Sequence, residues 1–370
     1  MKEKIQNEFR SRFGTEGMLF VAPGRFNLIG EHTDYNGGFV FPGAIDKFIM
    51  AEIKPNGTDK VRVYSVDIDE YVEFGLKEED APSQQWARYI FGVCREIIKR
   101  GGNVEGFDAV FAGNVPLGAG LSSSAALESC FANALNDLFN DNKFPKMELA
   151  KIGQSTEHNY CGVNCGIMDQ FASVHGKKDN LMRLDCRSGE FEYFPFKLDG
   201  YKLVLVDSRV KHERRESCER VAKTLGVETL RDADMAMLDS AKDKISEEDY
   251  KRAKYVIEEK QRVLDVCDAL VKGDYDTVGR CMYGTHEGMS KLYEVSCEEL
   301  DYLNDVAKEC GVTGSRIMGG GFGGCTVNLV KDDKYDNFIA TVTKKFNEKY
   351  GHEPMIYPVI VSDGARRYEE

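Results

Sequence analysis

Seven polar side chains lie within twelve positions near the start of the sequence, in the stretch GRFNLIGEHTDYNGG at residues 24–38. The seven are Arg25, Asn27, Glu31, His32, Asp34, Tyr35 and Asn36. Leu28 and Ile29 stand in their midst, which a solvated loop does not need, and the polar density is not typical of a core strand. The combination indicates an ordered site that holds a ligand.

A glycine-rich loop before a predicted helix has the composition of an anion site. The stretch is PLGAGLSSSAALE at 116–128, in which three serines open the helix. The N–H groups and dipole at a helix N-terminus can hold phosphate, and a serine hydroxyl can bind Mg²⁺. No Lys follows the glycines, so the loop is not a Walker A motif. An ordinary serine-capped helix is the alternative, although one cap needs only one serine.

Asp169 is the candidate base, in the stretch STEHNYCGVNCGIMDQFAS at 155–173. Large apolar neighbours (Ile167, Met168 and Phe171) would partly desolvate its carboxylate, and desolvation is a common way to make a base. A carboxylate that caps its own helix is the alternative. Glu157 lies twelve residues earlier on a predicted helix and is a candidate Mg²⁺ ligand, or else a solvated side chain.

A second glycine-rich loop occurs near the C-terminus, in GSRIMGGGFGGCTVNLV at 314–330. Five glycines surround Phe322 between residues 319 and 324. Glycine at this density permits either a flexible loop or a close approach of the backbone to a ligand.

The elements that must position these residues alternate irregularly between helix and strand. Apolar spacing predicts helices near residues 5–13, 86–98, 122–139, 147–160, 247–270, 298–310 and 334–350. Strand-like runs occur at Met18 to Ala22 and near 61–67, 71–76, 107–116, 181–207, 325–330 and 355–361. This order predicts an α+β fold in two lobes, residues 1–200 and 201–370, with the boundary least defined near 195–210.

Composition argues against several classes of partner. The net charge of −13 disfavours nucleic acid and anionic membranes, because phosphate binding depends on Lys and Arg. No apolar run approaches the roughly 20 residues of a membrane span, and the first residues lack the apolar region of a signal peptide. The eleven cysteines therefore read as reduced thiols of a cytoplasmic protein. Cys161 and Cys165 have zinc-like spacing, but no matching second pair follows.

The motifs, taken in order, resemble the GHMP sugar and metabolite kinases, and within them the galactokinase family. GRFNLIGEHTDYNGG looks like that family's sugar signature, and PLGAGLSSSAALE looks like its ATP-phosphate loop. CGIMDQFAS looks like the segment with the catalytic aspartate, and GSRIMGGGFGGC looks like the third family motif. The first motif is highly specific, whereas the second and third occur across the wider family. The similarity spans roughly residues 18–362.

The resemblance implies a two-lobed GHMP kinase fold with the active site in the cleft between the lobes, using ATP and Mg²⁺. Asp169 and Arg25 would be catalytic, with Asp169 facing the sugar C1 hydroxyl and Arg25 beside it. Ser124 and Glu157 would hold Mg²⁺. The sugar would be bound by Glu31, His32, Thr33, Asp34 and Asp169. The ATP phosphates would lie on Gly118, Ala119, Gly120, Leu121, Ser122, Ser123 and Ser124. Trp86 matches the position that packs on adenine in relatives, and a core anchor is the equal alternative.

The implied reaction is phosphorylation of galactose at its C1 hydroxyl by ATP. We expect a monomer whose partners are a small sugar and ATP. A kinase for N-acetylgalactosamine, arabinose or a uronic acid is the alternative, and a non-catalytic sugar and ATP sensor is a further one. One departure bears on the sugar. Relatives carry a Tyr-bearing segment between a His and an Arg pair, whereas here His212, Glu213 and Arg214 are consecutive.

Overall fold

The computed structural model describes residues 1–77, 80–210 and 217–369, with the side chains of 217–220 left out. The helices in this part of the chain are α1 (Lys2–Phe13), α2 (Gln85–Lys99), α3 (Ser123–Asn140), α4 (Lys146–Thr156), α5 (Met168–His175), α6 (Ser217–Leu225), α7 (Met235–Ser240), α8 (Glu247–Val271), α9 (Tyr275–Lys291), α10 (Glu298–Glu309) and α11 (Asp332–Tyr350). The strands are β1 (Met18–Asn27), β2 (Phe39–Val40), β3 (Pro42–Pro55), β4 (Lys60–Ser65), β5 (Glu70–Gly75), β6 (Phe107–Gly113), β7 (Asn180–Asp185), β8 (Phe191–Pro195), β9 (Tyr201–Asp207), β10 (Gly314–Ile317), β11 (Cys325–Lys331), β12 (Met355–Val359) and β13 (Arg366–Arg367).

Five strands from the first half of the chain and the C-terminal strand β13 form a six-stranded sheet in the order β13-β1-β3-β6-β4-β5. Its first strand is longer than the sequence indicated: β1 was predicted to end at Ala22 but continues to Asn27. The pairing of β1 with β3 shifts between Pro23 and Arg25 and then resumes, with Arg25 opposite Ala44. Such a bulge re-aims the side chains that follow it. The start of the polar cluster is therefore held in a sheet.

Most of the predicted elements are confirmed. Helix α1 buries Ile5 and Phe9, as their spacing predicted. The pair β4 and β5 forms the expected antiparallel hairpin. Helix α3 begins at Ser123 instead of Ser122, because the Ser122 backbone is left-handed, with φ 60°. Helix α4 passes into a π-helical turn, Glu157–Cys161, which is a feature that apolar spacing does not reveal.

The second half of the chain builds a four-stranded antiparallel sheet in the order β10-β11-β9-β12. Its strand β11 follows the second glycine loop directly, so the sheet fixes where that loop begins and ends. Three short strands (β2, β7 and β8) form a further sheet beside the polar cluster. Helices α8 and α9 pack together, and α9 also packs on β10.

One hydrophobic core joins the two halves. It includes Phe26 and Phe171 from the first half and Leu205, Val263 and Val327 from the second. The final strand, β13, returns to pair with β1. The division at residue 200 stays a prediction. None of the helices in the described ranges has both the length and the apolar composition that a bilayer crossing requires.

Candidate active site

An arginine and an aspartate 144 positions apart form the centre of the site. Arg25 lies at the end of β1, and Asp169 is the second residue of α5. The guanidinium donates from Nε to Oδ1 over 2.9 Å and from Nη2 to Oδ2 over 3.0 Å. This two-point pairing fixes the plane of the carboxylate. The side chain of Arg25 is 7% exposed and that of Asp169 is 32% exposed, so the carboxylate remains the accessible partner.

Asp169 does not cap its own helix. Besides Arg25, its described hydrogen-bond partner is the Ser122 hydroxyl, which donates to Oδ2. These bonds join β1, the glycine loop and α5 at one carboxylate. These contacts fit the interpretation of Asp169 as a base better than its interpretation as a helix cap.

The carbonyl groups of residues 119–121 in the glycine loop point towards Cys325 and Arg25. The thiol of Cys325 donates to the Ala119 carbonyl over 3.0 Å, and the Arg25 guanidinium donates to the Gly120 carbonyl. The Arg25 backbone N–H donates to the Leu121 carbonyl over 3.2 Å. In a trans peptide the next N–H points opposite to the carbonyl. The amides of residues 120–122 therefore point away from Arg25 and Cys325.

The sign of φ alternates along this loop, as expected of a backbone that forms an anion-binding concavity. Gly118, Gly120 and Ser122 have φ values of 76°, 74° and 60°, and the residues between them do not have positive φ. Successive amides in such an arrangement converge on one side. The loop also ends at the N-terminus of α3, whose dipole favours an anion. Ser122 makes no capping bond, so the simple serine-cap alternative does not describe this helix.

The predicted metal ligands Ser124 and Glu157 come together. Burial raises the pKa of the Glu157 carboxyl, and a hydrogen bond from the Ser124 hydroxyl opposes that shift. One turn further along α3, Glu128 is fully buried, and burial, followed by the neighbouring Glu157 charge, raises its pKa well above the usual range. Gln170 donates to Glu128 over 3.0 Å. Glu128 and Gln170 were not among the site residues predicted from the sequence. The four-residue spacing from Ser124 to Glu128 was the signal that could have identified Glu128.

The donor set fits a magnesium ion brought by a nucleotide. Magnesium in phosphoryl-transfer sites takes one or two protein oxygens and completes its shell with phosphate and water. Ser124 and Glu157 offer a hydroxyl and a carboxylate near one another, close to the amides of the glycine loop. Within the described ranges, no group of three or more His, Cys, Asp or Glu side chains is placed to hold a metal on its own.

The predicted sugar residues lie in a tight turn, and the structure uses them unequally. The Thr33 hydroxyl is committed inside the protein, donating to the carbonyls of Gly30 and Phe39. His32 pairs through Nδ1 with the Tyr35 hydroxyl over 2.8 Å, while its Nε2 is buried without a described hydrogen-bond partner. Burial lowers the pKa of His32 to about 4, so its ring is neutral at physiological pH.

Glu31 and Asp34 lie against different segments of the chain. Glu31 accepts from the Arg316 guanidinium over 2.6 Å and from the Gly319 backbone N–H over 3.0 Å. Asp34 lies against the loop that precedes Asp169, since a Cβ on Gly166 would come within 2.2 Å of its Oδ2. The second glycine loop is thus hydrogen-bonded, through Gly319, to the turn that carries the predicted sugar residues. Arg316 was missed, because an arginine that enters a buried strand gives no signal in a single sequence.

The roles of Trp86 and of the segment at 212–214 stay predictions. Trp86 is half-buried, its ring centroid lies 5.5 Å from that of Phe111, and its indole N–H donates to Glu70 over 2.7 Å. These contacts suit a core anchor and leave the adenine role a prediction. The shortened segment at His212, Glu213 and Arg214 lies outside the described residues.

Comparison with known proteins places the chain in a family. The model of the GHMP kinases N terminal domain matches residues 88–177, and that of the GHMP kinases C terminal matches 267–348. The galactokinase galactose-binding signature matches residues 7–55, which contain the polar cluster. The galactokinase of Thermotoga petrophila is 40% identical over 359 residues, covering 95% of this chain and all of the relative. That of Clostridium acetobutylicum is 40% identical over 99% of this chain and 98% of the relative.

Solved structures agree. The galactokinase of Lactococcus lactis complexed with galactose superposes with a TM-score of 0.92 at 31% identity, over 98% of each chain. A mevalonate kinase superposes with a TM-score of 0.67 at 19% identity, over 94% of this chain and all of that chain, which shows the fold alone. The two-lobed GHMP kinase fold expected from the motifs is confirmed. The chain belongs to the GHMP kinase family and, within it, to the galactokinases.

Proposed function

We propose that this protein transfers the γ-phosphoryl group of ATP to the C1 hydroxyl of galactose, yielding galactose 1-phosphate and ADP. The observation that carries the proposal is the pairing of Arg25 with Asp169 at the edge of the glycine loop. An accessible carboxylate stands there beside a fixed positive charge and a row of amides. The galactose complex of the Lactococcus lactis relative supports the choice of sugar.

Phosphoryl transfer needs positioning and charge neutralisation more than covalent help. The amides of residues 120–122 would bind phosphate oxygens, with the α3 dipole behind them. The Arg25 guanidinium would stabilise charge that develops on the transferred group, since it lies at the join of loop and carboxylate. Mg²⁺, held by Ser124 and Glu157, would neutralise further charge on the phosphates.

Asp169 would act on the attacking hydroxyl. Arg25 and Ser122 hold its carboxylate in one orientation, so a sugar hydroxyl would meet a fixed acceptor. Accepting the hydroxyl hydrogen, it would orient the attacking oxygen or take its proton. The His32 Nε2, which is buried and has no partner among the described hydrogen bonds, and the Asp34 carboxylate would hydrogen-bond other sugar hydroxyls. Glu31 would do so beside Arg316, whereas Thr33 would contribute through its backbone, because its hydroxyl is already committed.

A panel of sugars tests this proposal. ADP release would be coupled to a spectrophotometric readout with galactose, N-acetylgalactosamine, arabinose, a uronic acid and no sugar. We expect release that depends on galactose. Activity on another sugar alone would select the related-kinase alternative, and the shortened segment at 212–214 makes that comparison necessary. Sugar binding without turnover would support the sensor, against which the Arg25–Asp169 pair argues.

We further propose that the protein is a cytoplasmic monomer whose partners are a small sugar and ATP, without nucleic acid or membrane. The net charge of −13 supports the exclusion of polyanions. Light scattering on the purified protein would measure the mass against 41.6 kDa for one chain.

A further inference from the structure

The turn that carries the sugar residues has an unfavourable backbone. Gly30 has φ 89°, and the next residue but one, His32, has φ 59°. A side chain at Gly30 would approach the Phe39 carbonyl to 2.6 Å, so the chain is tightly packed at this point. Positive φ at a residue other than glycine is costly and persists where the surroundings impose it. Some group outside the turn must therefore hold it.

A buried carboxylate from the other half of the chain supplies that hold. Glu259 lies on α8 and is 0% exposed. Its Oε1 accepts from the Gly30 backbone N–H over 2.8 Å and from the Glu31 backbone N–H over 3.4 Å. These residues are 229 and 228 positions away. Glu259 thus bonds the two amides that lead into the sugar residues.

The second carboxylate oxygen of Glu259 also accepts two hydrogen bonds. Its Oε2 accepts from the Arg262 guanidinium over 2.7 Å and from the Thr285 hydroxyl over 2.7 Å. Arg262 lies on the same helix and Thr285 lies on α9. A buried charge needs both an ionic partner and hydrogen bonds, and Glu259 has both. The carboxylate is therefore fixed with respect to the α8–α9 pair.

The same turn meets other side chains of the second half. The Tyr255 hydroxyl, one turn before Glu259, donates to the Glu31 carbonyl over 3.1 Å. Arg316 bonds both the Glu31 carboxylate and the Asn27 carbonyl. The direction of the Glu31 side chain depends on the backbone that Glu259 holds. Within the turn, the described hydrogen bonds of Glu259 go to backbone amides, whereas Arg316 bonds the side chain of a proposed sugar ligand.

We propose that Glu259 is a positioning residue for sugar recognition: it fixes the Gly30–Glu31 backbone and through it the orientation of Glu31 and His32. The inference rests on the proposed sugar-kinase function. It assigns to α8 and α9 an influence on sugar affinity that does not extend to the nucleotide, because no described contact joins Glu259 to the glycine loop at 116–124.

The test is Glu259→Gln, which keeps the size of the side chain but turns an amide donor towards either the turn or Arg262. We expect the KM for galactose to rise about tenfold, with the KM for ATP changed less than about twofold. A purely structural defect would lower the active fraction and leave both KM values alone. Glu258→Gln is the matched control, because Glu258 lies next to Glu259 and faces Lys254 and Arg262 over 3.8 and 3.7 Å.

Hydrogen exchange separates this inference from the proposed function. In Glu259→Gln the amides of residues 28–37 should exchange faster, and in Glu258→Gln they should not. If wild-type protein released no ADP with any sugar, the proposed function would fail, and exchange alone would decide the role of Glu259. A folded Glu259→Gln protein with wild-type exchange in this segment, or an equal rise in both KM values, would overturn the inference.

A second, less disruptive variant keeps the inference testable if Glu259→Gln does not fold. Thr285→Val removes one of the four groups that donate to Glu259 and leaves the bonds to the turn in place. We expect a rise of about threefold in the KM for galactose, since a single hydrogen bond to the carboxylate is lost. An unchanged KM for galactose in this variant would count against the proposal.

Discussion

Asp169 is the residue at which the largest single effect on turnover is expected. Its carboxylate joins Arg25, Ser122 and, in the proposed reaction, the attacking hydroxyl. Asp169→Asn keeps the size of the side chain and one acceptor oxygen but cannot take up the proton. We expect kcat to fall about 10²–10⁴-fold, the usual contribution of acid–base catalysis. Asp169→Ala should abolish turnover.

Sugar binding should survive both substitutions, because Asp34 and His32 do not depend on Asp169. Calorimetric titration with galactose measures that binding directly, and the coupled assay measures kcat. Near-wild-type phosphorylation in either variant would remove Asp169 from the catalytic role.

Glu157 governs the predicted response to magnesium. It is buried and lies near the Ser124 hydroxyl, so Glu157→Gln removes an ionisable carboxyl group at the place where Mg²⁺ would bind. We expect the Mg²⁺ concentration for half-maximal activity to rise about tenfold or more. Glu148→Gln is the control, because Glu148 lies on α4, the helix that leads into the turn of Glu157, and pairs with Arg100 instead. An identical Mg²⁺ dependence in wild type and Glu157→Gln would exclude Glu157 as a ligand.

At the scale of elements, β1 and the glycine loop are in close contact, and in the proposed reaction this contact would set where the phosphates bind. A Cβ on Gly24 would approach the Leu121 carbonyl to 2.5 Å and Val115 to 3.1 Å. Gly24→Ala should therefore push the loop away from Arg25. We expect the KM for ATP to rise about fivefold or more, with a loss of about 1–3 kcal/mol in the free energy of unfolding from overpacking.

Gly57→Ala separates displacement of the loop from loss of stability. Gly57 has φ +70° and open space around its Cβ position, so alanine there costs backbone strain of about 1–2 kcal/mol without touching the site. Steady-state kinetics and urea unfolding should show reduced stability in both variants and a raised KM for ATP only in Gly24→Ala. A raised KM in both would mean that stability alone explains the effect.

The sequence predicted the elements well and their contacts poorly, for a physical reason. Apolar spacing is a local property, so α1, α3 and the β4–β5 hairpin could be predicted from it. The four motifs supplied most residues of the site through a family resemblance. The side chains that position those residues are buried polar groups from distant segments, such as Glu259 and Arg316. Nothing in their own neighbourhood in the sequence indicates a partner more than 200 positions away.

Across the whole molecule, the site exists because both halves close around one core. Arg25 and Asp169 come from the first half, while Arg316 and the second glycine loop come from the other. The chain end returns as β13 to the edge of the first sheet. Buried titratable groups outside the site should set how the stability of this core depends on pH.

His175 is such a group, at the end of α5. Its ring stacks on Phe171 at 4.4 Å, and burial lowers its pKa to about 4. The unfolded chain, with a histidine pKa near 6.5, takes up a proton below that pH whereas the folded protein does not until about pH 4. Stability should therefore fall as the pH decreases from about 6.5 towards 4, by up to about 1.4 kcal/mol per pH unit for this side chain.

His175→Gln removes the titration and keeps a donor for the Phe171 carbonyl, which the His175 Nδ1 contacts at 3.2 Å. Its free energy of unfolding, measured in urea at pH 7, 6 and 5, should decline less steeply than that of wild type, whatever its absolute value. Val174→Ala provides the comparison: it shortens a buried side chain beside His175 without changing any titrating group. It should lower stability by a similar amount at each pH. Parallel pH profiles for wild type and His175→Gln would show that His175 is protonated equally in the folded and unfolded states, and burial within the closed core would then not govern its charge.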